Sequence, residues 1–142
     1  MDKQALLELL NASPPPAFGL LGGRGMDIDG DAGTSRLEFR ATPAMCNPHD
    51  GVQGGFICGM LDAAMAIAAI GRAAELIIVA TLEIKVSYLE VTRPGDLVAS
   101  GRIVRQGKTV WFLEADLRDA DGKRLATGSQ TARVIRPAGA AA

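Results

Sequence analysis

One carboxylate lies inside the most apolar stretch of the sequence. Residues 46–66 read CNPHDGVQGGFICGMLDAAMA, and Asp62 is the only polar side chain between Gly55 and Arg72. Wrapped at about 3.6 residues per turn, this stretch is apolar or small on every side, which predicts a helix that is buried all round. A carboxylate taken out of water is costly unless it is paired or hydrogen-bonded. Asp62 is therefore either a functional acid or a structural group that caps a break in the helix or pairs with a distant arginine.

The start of this helix supplies a second reactive feature. Gly54 and Gly55 leave the backbone N–H groups of the first turn uncovered, and a helix N-terminus attracts negative charge. In acyl transfer, such donors hold the oxygen that becomes negative in the tetrahedral intermediate. More than two helical turns separate Gly54 from Asp62, so the two groups cannot both contact one small carbonyl from the same helix. A site shared across a two-fold dimer, with the glycine turn from one subunit and the acid from the other, solves this geometry.

The remaining elements are predicted to form a sheet that positions the helix. Residues 2–11 suit a short amphipathic helix that lies on the rest as a lid, and the glycine-dense segment 19–33 suits turns around a short strand at 26–28. Alternation and turn signals predict further strands at 34–42, 76–91, 97–106, 109–119 and 123–135. The strands after the helix follow one another with short connections, which predicts an antiparallel meander. The fold class is α+β, with an antiparallel sheet wrapped around one long central helix.

The strand at 76–91 has two distinct faces. The apolar set occupies the even positions Leu82, Ile84, Val86 and Tyr88, and the polar set occupies the odd positions Thr81, Glu83, Lys85 and Ser87. Successive side chains of a strand point to opposite faces, so this alternation predicts one buried face and one face that meets something polar. Thr81 is thereby placed opposite Ile84.

Length and composition restrict the classes of function. A chain of 142 residues fits one domain, residues 1–142, with an N-terminal helix within 1–15 and a flexible tail at 137–142. The net charge of −1 favours no nucleic-acid partner. One histidine and two cysteines, Cys46 and Cys58, indicate no metal site, and the lack of a signal-like start predicts a cytoplasmic protein. The apolar run inside the central helix is shorter than the ~20 residues of a membrane span, which indicates no membrane partner.

These residues resemble a known family. NPHDGVQGGFICGMLDAAMA, followed by TLEIKVSYL and RPGD, is similar to the hotdog-fold acyl-CoA thioesterases of the phenylacetate-degradation (PaaI-like) branch, within the 4-hydroxybenzoyl-CoA thioesterase superfamily. That branch carries an Asn, a His-Gly-Gly six positions later and an Asp or Glu nine positions after the His; the intervals here are Asn47, position 53 and Asp62. The resemblance covers roughly residues 15–136 in element order. It implies a hotdog fold that hydrolyses acyl-CoA to a free acid and CoA.

The resemblance also implies a role for each matching residue. Asp62 would be the catalytic carboxylate, acting as nucleophile or as general base on a water. The N–H of Gly54 would polarise the thioester carbonyl, Asn47 would help to hold the acid or that carbonyl, and Gly55 would line the substrate site. Thr81 would orient the water, although a strand residue on the polar face is the structural alternative. No cofactor is implied, because coenzyme A is part of the substrate.

Position 53 departs from the family pattern. Gln53 stands where the family has a histidine that hydrogen-bonds near the thioester sulfur and the helix start. A glutamine amide still donates a hydrogen bond but carries no proton at neutral pH, so we expect reduced or retargeted activity rather than none. His49 lies in the preceding loop and is expected to be exposed to solvent.

Three functions remain open. The first is an acyl-CoA thioesterase that works as a homodimer, assembled into a homotetramer as is common in such relatives. The second is a non-catalytic acyl-CoA-binding protein of the same fold, motivated by Gln53. The third, a hydratase or dehydratase, is weaker because those enzymes use an Asp–His pair and the only histidine, His49, precedes the helix. Cys58 is expected to be a small core residue rather than a nucleophile.

Overall fold

Three α-helices and six β-strands make up residues 1–139, the part of the chain that the computed structural model describes. The helices are α1 (Lys3–Ala12), α2 (Pro16–Leu20) and α3 (Gly54–Ala73). The strands are β1 (Arg24–Asp29), β2 (Thr34–Ala41), β3 (Ile78–Tyr88), β4 (Gly95–Gln106), β5 (Val110–Asp119) and β6 (Arg124–Ile135). A short 3₁₀ turn, Pro43–Met45, lies between β2 and α3. Residues 140–142, the end of the predicted flexible tail, lie outside the described residues.

The six strands form one antiparallel sheet that wraps around α3, in the order β1-β2-β4-β5-β6-β3. The sheet's inner face and the helix form the core, whose fully buried side chains include Leu37, Phe39, Met60, Leu61, Met65, Trp111 and Leu113. Gly101 of β4 lets the helix approach closely, because a Cβ there would meet the carbonyl of Ala64. Ser35 Oγ donates to the same carbonyl at 2.6 Å and ties the helix to β2. The predicted α+β class, with a sheet around one long helix in the hotdog arrangement, is confirmed.

The predicted meander is wrong for its first strand. β3 pairs with β6 and not with β4, whereas β4 pairs with β2. The segment between β3 and β4, predicted as a tight turn, is bound to the loop that precedes α3. Val52 N–H donates to the carbonyl of Thr92 at 2.8 Å, and Arg93 donates to the carbonyls of His49 and Asp50. Because the chain crosses the start of the helix on this path, β4 enters the interior of the sheet and β3 is left at its edge.

β3 also departs from strict alternation. Thr81 and Glu83 oppose consecutive residues of β6, so Leu82 between them is the extra residue of a β-bulge. An extra residue shifts the alternation by one, and Thr81 therefore shares the helix-facing side with Ile84, opposite two buried residues of β6. Leu82 is 61% exposed. The prediction that placed Leu82 in the buried set and Thr81 opposite Ile84 is wrong for this reason.

The N-terminal segment covers the other end of the sheet. α1 packs on β1 with Leu6 and Leu10 buried. The side chain of Asn11 accepts from the N–H of Gly25 at 2.7 Å and donates to its carbonyl at 3.1 Å. The amphipathic helix predicted for residues 2–11 is confirmed, and the strand predicted at its side is longer than expected.

α3 has 20 residues, so by length and composition alone it is long and apolar enough to cross a membrane. The helix is longer than the apolar run predicted from the sequence, because it extends past both ends of the run. Packing accounts for the apolar character instead, since Met60, Leu61 and Met65 are fully buried inside the sheet.

One face of α3 is not covered within the chain. Gly55 is exposed, and Cys58, Asp62 and Ala66, which follow it at helical spacing, are half-buried. The expectation of a helix buried all round is therefore wrong for the single chain. This partly open face, which we call the small-residue stripe, lies on the side that carries Asp62.

Candidate active site

The loop before α3 is shaped by the side chain of Asn47. Asn47 Oδ1 accepts from the N–H groups of His49 at 2.9 Å and Gly51 at 3.2 Å. The backbone N–H of Asn47 donates to the carbonyl of Gly51 at 2.8 Å and closes the loop. Since its oxygen is used by the loop, Asn47 can approach a ligand with its Nδ2 donor. His49 is exposed, as predicted.

The first turn of α3 presents free backbone donors. The N–H groups of Gly54 and Gly55 have no acceptor within residues 1–139, as expected for the first residues of a helix. Gln53 is the N-cap residue, but its side chain forms no capping hydrogen bond and is exposed. An uncapped helix start leaves both the donors and the positive end of the helix dipole available to a carbonyl oxygen.

A cleft of about 530 Å³ opens at this helix start. Asn47 and Gly54 line it together with the apolar side chains of Ile57, Leu89 and Val91. Tyr88 forms one wall, and its hydroxyl donates to the carbonyl of Gly54 at 2.7 Å. The predicted Asn47 and Gly54 are thus brought to one cavity, whereas Gln53 and Gly55 do not line it.

Asp62 is held by a pair of polar side chains from the sheet. Thr81 Oγ1 on β3 donates to Asp62 Oδ1 at 2.9 Å. Gln130 Nε2 on β6 donates to the same Oδ1 and, at 2.7 Å, to Thr81 Oγ1. Within the described part of the chain, Asp62 is not paired with an arginine and does not cap a helix break. It accepts hydrogen bonds from neutral donors at the middle of a continuous helix. Among residues 1–139, no cationic side chain pairs with this carboxylate.

Gln130 is the site residue that sequence reasoning missed. It is 3% exposed and lies in the helix-facing register of β6, between the small residues Gly128 and Ala132. A signal was present, because an amide among small or apolar residues at alternate positions of a strand predicts a buried polar group that needs partners.

The helix start and the carboxylate form two separate half-sites in one chain. Gly54 and Asp62 are eight residues apart in α3, which at 1.5 Å per residue is about 12 Å along the helix axis. A thioester carbonyl cannot be held by Gly54 and attacked from Asp62 over that distance. That a second chain completes the site stays a prediction.

Cys58 lies between the two half-sites and is not activated. Burial, and then the charge of Asp62, raise the pKa of the Cys58 thiol above its usual value. Burial also raises the pKa of Tyr88, with a further contribution from Cys58. Both groups stay protonated at neutral pH, so the thiol is not a nucleophile there and the tyrosine remains a hydrogen-bond donor.

The chain is similar in sequence and in structure to proteins of one family. Residues 51–126, which include both half-sites except Asn47 and Gln130, match the family model for the thioesterase superfamily. The chain is 34% identical over 130 residues to a predicted esterase of Halobacterium salinarum, covering 83% of this chain and 85% of that protein. A predicted thioesterase from Ralstonia eutropha JMP134, described as phenylacetic acid degradation-related, has a TM-score of 0.79 at 30% identity, over 90% of this chain and 98% of that one. A Streptococcus mutans protein crystallised with acetyl-CoA shares the fold, with a TM-score of 0.71 at 19% identity over 80% and 90% of the two chains.

Proposed function

The chain belongs to the thioesterase superfamily, and from this premise we propose that it hydrolyses acyl-CoA thioesters to a free acid and CoA. The proposal rests on the carboxylate of Asp62, which is oriented by hydrogen bonds from Thr81 and Gln130. Asp62 lies on the same helix whose first turn offers free N–H donors. The acetyl-CoA bound by the structural neighbour from Streptococcus mutans supports a CoA thioester as the substrate class.

In the proposed reaction, the thioester carbonyl oxygen accepts a hydrogen bond from Gly54 N–H, with Asn47 Nδ2 as a second donor from the same cleft. These donors stabilise the negative charge that develops on that oxygen. Asp62 either attacks the carbonyl carbon or removes a proton from an attacking water, which Thr81 orients. The carbon–sulfur bond then breaks, and CoA leaves as a thiolate, which needs little protonation. In the nucleophilic route, water then hydrolyses the anhydride between the acyl group and Asp62, which releases the free acid and restores the carboxylate. In the general-base route, the free acid forms directly and Asp62 passes its proton to the thiolate or to solvent.

A homodimer completes the site in this proposal. The small-residue stripe of α3 is partly open, and the adjacent edge strand β3 exposes Ile78, Leu82 and Tyr88 at 54%, 61% and 52%. An apolar sheet edge beside a stripe of small side chains suits pairing with a second copy of the chain. Such pairing brings Gly54 of one subunit to Asp62 of the other. The exposed Phe112 and Val104 on β5 and β4 would serve assembly into the predicted homotetramer.

The carboxylate is tested with Asp62→Asn, which keeps the shape and an acceptor for Thr81. We expect kcat/KM for a panel of short, long and aromatic acyl-CoAs to fall about 100- to 10,000-fold, as for loss of a general base or nucleophile. Thiol release is followed with a disulfide reagent. The matched control is Asp121→Asn in the exposed turn before β6, which should retain wild-type rates. Undiminished thiol release by Asp62→Asn would refute the assignment of Asp62 as the catalytic carboxylate.

The shared site is tested by mixing subunits. A dimer of one Asp62→Asn chain and one chain impaired at Gly54 contains one intact site and one doubly impaired site. Random reassociation of the two inactive variants should restore about a quarter of wild-type activity. No recovery after mixing, with exchange verified by native mass spectrometry, would mean that each chain uses its own two half-sites.

A second function, acyl-CoA binding without turnover, is favoured by one observation. Gln53 replaces the family histidine, and its side chain is exposed and forms no bond at the helix start. Calorimetric binding of a non-hydrolysable thioether analogue, together with no thiol release across the panel, would support the binding protein over the enzyme.

A further inference from the structure

We propose that Gln130 is a positioning residue that, with Thr81, pins one oxygen of Asp62 so that the other oxygen, Oδ2, performs the chemistry. The inference rests on the proposed thioesterase function. It assigns a role to a side chain of β6 that lies outside the helix and loop motifs.

The hydrogen-bond pattern identifies the pinned oxygen. Gln130 Nε2 donates to Asp62 Oδ1 and to Thr81 Oγ1, which uses both hydrogens of the amide. Thr81 accepts from Gln130 and passes its single hydrogen to the same Oδ1. All donors to this carboxylate within residues 1–139 therefore converge on Oδ1, and Oδ2 keeps its lone pairs for a substrate or a water.

The orientation of the amide follows from its neighbour. A carboxylate only accepts hydrogen bonds, so the NH₂ group of Gln130 must face Asp62, because its oxygen would be repelled there. That choice leaves Gln130 Oε1 buried without a partner among the described residues. An apolar side chain at this position would avoid the desolvation cost of that oxygen. The amide is thus a poor core residue and a well-placed donor.

Pinning the carboxylate affects the rate rather than the binding of substrate. A carboxylate held through one oxygen has a fixed plane, so Oδ2 points in one direction when the thioester arrives. Gln130 itself is 3% exposed and cannot reach the substrate directly. Its removal should lower kcat and leave KM unchanged.

The test uses Gln130→Met, which keeps the length of the side chain and removes both donors. We expect kcat to fall about 10- to 100-fold, with KM and the dissociation constant of a thioether analogue unchanged. Gln130→Leu is the second variant and should behave alike. The matched control is Ser129→Ala, the exposed neighbour in the same strand, which should retain wild-type kinetics.

A role through Asp62 is separated from a general structural role by a double variant. In the Asp62→Asn background, Gln130→Met should lower the residual rate no further, because there is no carboxylate left to position. The proposal is overturned by wild-type kcat in a folded Gln130→Met or Gln130→Leu enzyme, by a rise in KM alone, or by an equal loss in the Asp62→Asn background. Failure of both variants to fold, judged by circular dichroism, overturns it too, since the amide would then be structural. An inactive wild-type protein removes the proposed function itself and is recognised before any variant is made.

Discussion

Substitution of Gly54 by alanine tests whether the first turn of α3 forms part of the substrate site. A Cβ at this position would lie 2.9 Å from the Tyr88 hydroxyl and 3.0 Å from the ring carbon that carries it. Ordinary contact between such atoms requires about 0.5 Å more. The tyrosine ring must therefore move, and it forms one wall of the cleft at the helix start.

The expected change in stability is small because two terms oppose each other. Displacing Tyr88 weakens its hydrogen bond to the Gly54 carbonyl, which contributes about 1 kcal/mol. Replacing glycine by alanine within a helix stabilises by up to about 1 kcal/mol. The midpoint of thermal unfolding should thus change little, while kcat/KM falls about 10- to 100-fold because the wall of the cleft is displaced.

The assay compares four variants, three single and one double, by thiol release and thermal unfolding. Gly59→Ala in the same helix is the matched control, since its Cβ would meet only the flexible end of Leu21 at 3.4 Å. It should gain stability and keep wild-type kinetics. In a Tyr88→Ala background, Gly54→Ala should cause little further loss, because the ring that it displaces is absent. Wild-type kcat/KM in Gly54→Ala at an unchanged unfolding midpoint would refute the placement of the substrate at this turn.

Two further predictions concern neighbouring residues. Gln53→Ala should leave the unfolding midpoint unchanged, because the side chain is exposed and forms no capping hydrogen bond. If the amide donates a hydrogen bond near the thioester sulfur, the substitution should also lower kcat. A wild-type kcat would exclude that role. The raised pKa of Cys58 predicts that its contribution to stability is complete below the unfolded thiol pKa of 9.0 and is lost as pH rises through the higher folded value. Cys58→Ala should therefore flatten the decline of the unfolding midpoint between neutral pH and about pH 10, and an unchanged slope in calorimetric scans would contradict this.

The residues of α3 could be predicted from the sequence because their signals are local. Asp62 stands out against its own helix, and Gly54 marks the start of that helix within the same twenty residues. The partners of Asp62 are not local. Thr81 lies 19 positions away and Gln130 lies 68 positions away, and they meet only because β3 pairs with β6. The alternation of side chains within a strand does not reveal which strand lies next to it. The sequence therefore predicts neither the pairing of β3 with β6 nor the hydrogen-bond partners that this pairing brings to Asp62.

The bulge at Leu82 connects the edge strand to the proposed chemistry. In a regular strand, Thr81 and Ile84 would face opposite sides of the sheet. Either the Thr81 hydroxyl would then point away from Asp62, or the apolar side chains of β3 would point away from the core. The extra residue allows both to face α3. An edge strand tolerates such an interruption because only one ladder of hydrogen bonds is disturbed. The other side of β3 is the surface proposed for the second subunit. In the proposed dimer, one strand would both orient Asp62 and set the position of the partner's helix start, which would couple assembly to activity.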